Sequence, residues 1–221
     1  EDIILIDLKN KIIFIHIPKT GGQSIENYFL RINDLSNKDK ASLFLFKNSH
    51  ESNMSRANAH LTLEMYEKYY FGGEIPEDFK IFSVVRNPHN RFVSESKYRK
   101  FRFGFIKFRL PMTLLIFIYK RYGKKVNIFR DIYDHLIPQI KYLEGNARNR
   151  INILRLENLN SEFERLVLSW GLPNHKLKHI NKSASSVKRS NHLSPDILKF
   201  INNEYKEDFN EFNYDMGLFK Q

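Results

Sequence analysis

Residues 11–24 read KIIFIHIPKTGGQS. Ile12–Ile17 are β-branched or aromatic except for His16, the pattern of a buried strand. The run breaks into Pro-Lys-Thr-Gly-Gly-x-Ser, and IENYFLRI follows with Ile25, Tyr28 and Phe29 at helical spacing. Gly21 and Gly22 let the backbone come close to a ligand, and a helix start presents N–H groups and the positive end of a dipole. Lys19 adds a mobile cation, and the hydroxyls of Thr20 and Ser24 can donate to anionic oxygens. Strand, short glycine turn and helix, with a lysine inside the turn, predict a phosphate-binding loop over Pro18, Lys19, Thr20, Gly21, Gly22, Gln23 and Ser24. An ordinary strand-to-helix turn would need the glycines alone and leaves the lysine and two hydroxyls unexplained. The loop is not that of the common nucleoside-triphosphate enzymes, which place Gly-Lys-Ser or Gly-Lys-Thr at the helix start. Neither tripeptide occurs in this chain, and Lys19 precedes both glycines.

A second anchor lies at Phe79–Arg86, FKIFSVVR, another apolar strand, which runs into RNPHNRFVSESKYRK. Pro88 suits the first turn of a helix that carries Ser94. Arg86, Arg91 and Ser94 can therefore gather around a second phosphate, with Arg86 able to make a forked contact. With both motifs in hand the sequence resembles the sulfotransferase superfamily. The first motif is similar to that family's loop for the 5′-phosphosulfate of 3′-phosphoadenosine-5′-phosphosulfate. The second, Arg-x-Pro-x-x-Arg-x-x-Ser, is similar to its 3′-phosphate site. The form HIPKTGG resembles the carbohydrate branch that includes uronyl 2-O-sulfotransferases and many bacterial relatives, as does the His-x-Thr segment Ala59-His60-Leu61-Thr62. INILRLEN at Ile151–Asn158 resembles the family's strand before a helix. KHINKS at Lys178–Ser183 resembles its loop over the nucleotide, with Asn181, Lys182 and Ser183 as the implied contacts. The resemblance runs from about Ile12 to Tyr214, and Phe101–Lys125 matches nothing in it.

The resemblance implies a donor that carries a sulfuryl group and leaves as adenosine 3′,5′-bisphosphate. Lys19 is the candidate cation for charge growing on the leaving phosphate, assisted by the backbone N–H groups of Thr20, Gly21 and Gly22. His60, placed like the family's base, is the candidate for taking the acceptor proton, a task suited to histidine near neutral pH. His16 reads first as a packed residue that orients the loop and second as an alternative base. His135 and Gln139, in DHLIPQIKYL, resemble a substrate-side segment. No His or carboxylate spacing reads as a metal site, so no metal is expected.

Composition bounds the rest. The chain has 221 residues, 42% of them apolar, enough for one domain, 1–221, with a substantial core. It has no cysteine, so no disulfide can form and redox usage does not reveal the compartment. A net charge of +11 favours anionic ligands. Nucleic acid is the obvious rival, but no zinc-ligand cysteine pair or RNA-binding signature is present. No run approaches the roughly 18 apolar residues needed to span a bilayer. A bacterial, cytoplasmic enzyme is expected, or a Golgi-lumenal one if an N-terminal anchor has been removed, since the chain begins Glu-Asp.

Strands are predicted at Ile3–Leu8 and Lys11–Ile17 (a hairpin), Phe79–Arg86 and Ile151–Leu156. Helices are predicted at Ser24–Ile32, Leu61–Tyr70, Pro88–Lys100, Pro111–Tyr122, Asn127–Tyr142, Ser161–Trp170 and from Ser194 onward. Strands separated by helices, with phosphate motifs at strand ends, predict an α/β, P-loop-like three-layer fold. Its central, mostly parallel sheet would be flanked by helices. Lys97–Arg109, KYRKFRFGFIKFR, interleaves six basic residues with aromatics. It reads as a solvated face, as a groove for an anionic glycan, or as a contact for a membrane or lipid-linked acceptor. The reading as a whole is sulfuryl transfer from 3′-phosphoadenosine-5′-phosphosulfate to a carbohydrate hydroxyl. Its rivals are a nucleotide-dependent phosphotransferase and a non-catalytic polyanion-binding or nucleic-acid-binding module.

Overall fold

The computed structural model describes residues 5–36, 60–98, 100–103, 106–109, 111–123, 125–126, 129–177 and 193–217. The sheet is built from β1 (Leu5–Asp7), β2 (Ile12–Ile15), β3 (Lys80–Val85) and β6 (Ile151–Arg155), in the order β1-β2-β3-β6. β1 and β2 form the predicted antiparallel hairpin, with Leu5 opposite Phe14 and Asp7 opposite Ile12. Asp7 closes its turn by accepting from the backbone N–H and side-chain amide of Asn10 (3.0 and 2.7 Å). The other pairs are parallel: Phe14 sits beside Phe82, and Val84 beside Leu154. A mostly parallel sheet with helical crossovers is thus the fold that the two phosphate motifs announced.

The chain forms two compact units. The first, Glu1–Val85 with Lys141–Lys182, holds the sheet, α1 (Gly22–Ile32), α2 (Leu63–Tyr70) and α6 (Leu159–Ser169). Alternation along the strands puts Ile12, Phe14, Phe82, Val84 and Leu154 on one face. Ile25, Tyr28 and Phe29 of α1 and Phe163 and Val167 of α6 pack with them in one apolar cluster. Phe14 stacks on Phe82 with ring centroids 4.8 Å apart. The opposite face (Ile13, Ile15, Ile81, Val85) is fully buried too, as a doubly covered sheet requires. Tyr66 of α2 ties that helix to the sheet by donating to the Phe14 carbonyl (3.1 Å).

The second unit, Arg86–Ile140 with Ser183–Gln221, holds α3 (Pro88–Tyr98), β4 (Lys100–Phe103), β5 (Ile106–Arg109), α4 (Met112–Arg121), α5 (Arg130–Leu136), α7 (Pro195–Glu204) and α8 (Lys206–Glu211). Phe92, Leu115, Ile132, Leu136, Phe200, Tyr205 and Phe209 are among its buried core. The antiparallel pair β4–β5 falls in the stretch with no counterpart in the family resemblance, and the helix that the sequence predicts to Lys100 ends at Tyr98, with Lys100 opening β4. The helix predicted over 127–142 is shorter. It ends at Leu136, where Ile137 turns extended (ψ 151°) ahead of Pro138, and resumes as a 3₁₀ turn at Gln139–Tyr142. A proline disfavours helical geometry in the residue before it, and that preference wins here.

Candidate active site

The chain leaves β2 through Ile17-Pro18 and turns sharply at Lys19, whose φ of +68° is in the left-handed region. Thr20 is fully buried, and its hydroxyl donates to the Ile17 carbonyl (2.8 Å). The sequence predicts this hydroxyl as a donor to an anion; here it is turned to the backbone of its own loop. Its one proton closes the loop, so what Thr20 has to offer an anion is its backbone N–H. Gly21 follows at φ +91° and forms the N-terminal boundary of α1. No side chain caps this helix start and no acid lies in its first turn, so its electrostatics suit an anion. Lys19 and Ser24 are half-buried and Gln23 exposed around it.

The two glycines serve different ends. Gly21 supplies the positive φ, and a Cβ there would also lie 2.8 Å from Leu156. Gly22 is helical, but a Cβ on it would fall 2.0 Å from Nε2 of His16. The imidazole thus occupies the volume that any larger residue at position 22 would need. His16 is 6% exposed, stacks on Phe14 at 5.4 Å, and sets Nδ1 3.3 Å from a carboxylate oxygen of Glu26, one helical turn beyond Gly22. Glu26, itself 2% exposed, was not singled out from sequence. Its position four residues from Gly22 on an amphipathic helix was the one available signal.

His60 meets His16 edge-on, with centroids 4.7 Å apart, and its Nδ1 lies 2.8 Å from the His16 carbonyl oxygen. A carbonyl only accepts, so Nδ1 carries the proton and neutral His60 has its lone pair on Nε2. Thr62 completes the His-x-Thr segment in another way: it caps α2 by accepting from the Met65 N–H (3.3 Å).

In the second unit Arg86 is the first residue beyond β3, and Asn87 caps α3 by accepting from the Asn90 N–H (3.2 Å). Ser94 lies half-buried on that helix. Arg91 is 3% exposed and donates through both terminal nitrogens to the carbonyls of Ile137 and His135 (2.9 and 2.8 Å), where α5 ends. Its guanidinium therefore braces α5 with two of its five donors. His135 is buried with Nδ1 3.0 Å from Glu95, which has no exposed surface. Gln139, read as substrate-side, is also wholly enclosed, and its amide bonds the backbone of Arg86. Burial raises the carboxyl pKa of Asp208, while N–H groups of Gln139 and Ile140 and the charge of Arg91 oppose the shift. Asn181, Lys182 and Ser183 lie outside the described residues. Among the described residues no group of His, Asp and Glu is arranged to hold a metal ion, and no helix is long and apolar enough to cross a membrane.

One motif follows the end of β2 and the other the end of β3. The chain belongs to the Sulfotransferase family, whose model matches residues 2–215. Sulfuryl transfer in general is therefore its activity. No curated protein matches the sequence. It is similar to a solved structure, a sulfotransferase from Alicyclobacillus acidocaldarius, at 13% identity, with a TM-score of 0.46 and coverage of 94% of this chain and 96% of that one.

Proposed function

We propose that this chain transfers a sulfuryl group from 3′-phosphoadenosine-5′-phosphosulfate to a hydroxyl of a carbohydrate, both units serving one catalytic domain. The family match over residues 2–215 takes in both units and supports the single domain. The observation that carries the donor assignment is the uncapped, acid-free start of α1 behind Lys19 and Gly21. It fits a 5′-phosphosulfate, and Arg86 with Ser94 fits a 3′-phosphate. When bound, the donor supplies the sulfuryl group and a nucleotide bisphosphate as the leaving group.

The N–H groups of Thr20, Gly21 and Gly22 bind the 5′-side oxygens, and Lys19 opposes the charge that grows there. His60 takes the acceptor proton on Nε2, a role supported by the carbonyl that holds Nδ1 protonated. His16 does not need to react. Its ring seats α1, and its carbonyl orients His60. The HIPKTGG and His-x-Thr segments support a carbohydrate acceptor, including an anionic or lipid-linked one. No metal enters the scheme.

Calorimetry tests the nucleotide half of this reading. Adenosine 3′,5′-bisphosphate binds much more tightly than 5′-AMP, and Arg86→Ala removes most of the difference. Equal binding of the two by the wild type overturns the assignment of the second motif. Transfer of label from the donor across a panel of oligosaccharides tests the acceptor half.

A further inference from the structure

We infer that Gln139 and Asp208 are positioning residues for Arg86, fixing the backbone from which its guanidinium reaches the 3′-phosphate. The inference rests on the reading of Arg86 given above. Beyond the last residue of a strand, a buried backbone N–H and C=O still need partners. At Arg86 both are supplied by one side chain. The Arg86 N–H donates to Gln139 Oε1 (2.9 Å), and Gln139 Nε2 donates to the Arg86 carbonyl (2.9 Å). The primary amide thus imitates a neighbouring strand for one residue. Such a pairing fixes both the translation of Arg86 and the direction in which its side chain leaves the backbone.

The amide can do this only in one orientation, and Asp208 selects it. Asp208 Oδ2 lies 3.3 Å from Gln139 Nε2, so the NH₂ group must face the carboxylate and the Arg86 carbonyl. The same oxygen accepts from the Gln139 backbone N–H (2.8 Å), and Oδ1 accepts from Ile140 N–H (2.9 Å). Asp208 thereby caps the 3₁₀ turn that opens after Pro138 and seats the residue bearing the amide. Gln139 and Asp208 are both 0% exposed and Arg86 7%, so water does not compete for these bonds. A buried polar group kept fully satisfied is a rigid group. Neither side chain has surface with which to meet an acceptor, which leaves Arg86 as the thing they serve.

The test is the preference for adenosine 3′,5′-bisphosphate over 5′-AMP, measured by calorimetry in the full chain. Gln139→Met keeps the side-chain length and removes both bonds to Arg86. It should cut the preference at least about tenfold, because a small misplacement of a clamping group is costly, and leave 5′-AMP affinity within about twofold. Asp208→Asn, the milder change, should lower the preference in the same direction by less. A merely structural role would weaken both nucleotides together or neither. A folded Gln139→Met protein that keeps the wild-type preference overturns the inference and leaves the reading of Arg86 standing. A wild type with no preference overturns the reading itself. Amide hydrogen exchange of the wild type needs no variant. The Arg86 N–H should exchange as slowly as those inside β3, and exchange at the rate of an open loop overturns the clamp.

Discussion

Gly22 shows how one residue can be fixed by another that no local pattern reveals. A methyl at position 22 meets the His16 ring, which is boxed in by Phe14 and His60 and cannot retreat. Gly22→Ala should therefore lower stability by about 1–3 kcal/mol, the usual range for overpacking. His16→Ala should absorb most of that loss in the double variant. Strict additivity in thermal denaturation would remove the steric account. Lys19 separates stability from catalysis. Its left-handed backbone costs about 1–3 kcal/mol, which glycine relieves at roughly 0.5–1 kcal/mol of its own entropy cost. Lys19→Gly should thus melt no lower than wild type, yet turn over about 10²–10³ times more slowly if the cation meets charge on the leaving oxygen. Turnover within tenfold of wild type sinks that role. His60→Ala should keep adenosine 3′,5′-bisphosphate binding and lose about 10²-fold or more in turnover. Wild-type rate should fall as pH drops through the range where histidines take up a proton, and this limb should be missing in the variant. A retained limb with near-normal turnover would move the assignment to His16. The residues of the loop were legible in sequence because strand, turn and helix are contiguous. Glu26, Glu95 and Asp208 were not, because each finds its partner through the fold, Asp208 across 69 residues.

Most elements of regular period were legible, since burial on one or two faces imposes that period on the sequence. β2, β3, α1 and α6 fall within a few residues of expectation. What failed was local competition. Pro138 divides one apolar run into α5 and a 3₁₀ turn, and the basic-aromatic run beyond α3 forms a strand pair. Packing of α3 on α7 has a titratable joint. His89 of α3 lies 2.8 Å from Asn202 Oδ1 of α7, and its ring meets Phe209 of α8 at 4.9 Å. Burial lowers the pKa of His89, with the Asn202 bond acting the other way. In the unfolded chain its pKa is about 6.5, so there it takes up a proton that the folded protein resists. Its contribution to stability is therefore complete above that pH and is lost as pH falls toward the folded pKa. His89→Gln can still donate to Asn202 but cannot ionise. Between pH 7 and pH 5 its melting temperature should decline less than the wild type's, and equal declines would take His89 out of the acid response.

Across the whole molecule the net charge of +11 draws any polyanion, so affinity alone does not separate an enzyme from a charge-driven binding module. Selectivity and salt do. A ligand held by the folded site adds RT ln(1 + [L]/Kd), about 2.7 kcal/mol at a hundred times Kd. For a chain of this size each kcal/mol raises the melting temperature by about 2–4 °C. Adenosine 3′,5′-bisphosphate at that level should therefore raise it by roughly 5–10 °C. At the same concentration, 5′-AMP and ATP–Mg²⁺ should do much less. At about 1 M salt the screening length shrinks to about 3 Å, which strips attraction at the exposed surface. The enclosed contacts around Arg86 are screened less. The shift from the bisphosphate should then survive largely intact, whereas any stabilisation by duplex DNA should vanish. Arg86→Ala should reduce the bisphosphate to the level of 5′-AMP. A shift from ATP–Mg²⁺ as large as that from the bisphosphate would overturn the assignment of Arg86 and Ser94 to a 3′-phosphate. Collapse of every shift together in high salt would overturn the proposed donor site, since surface charge alone would then account for the binding.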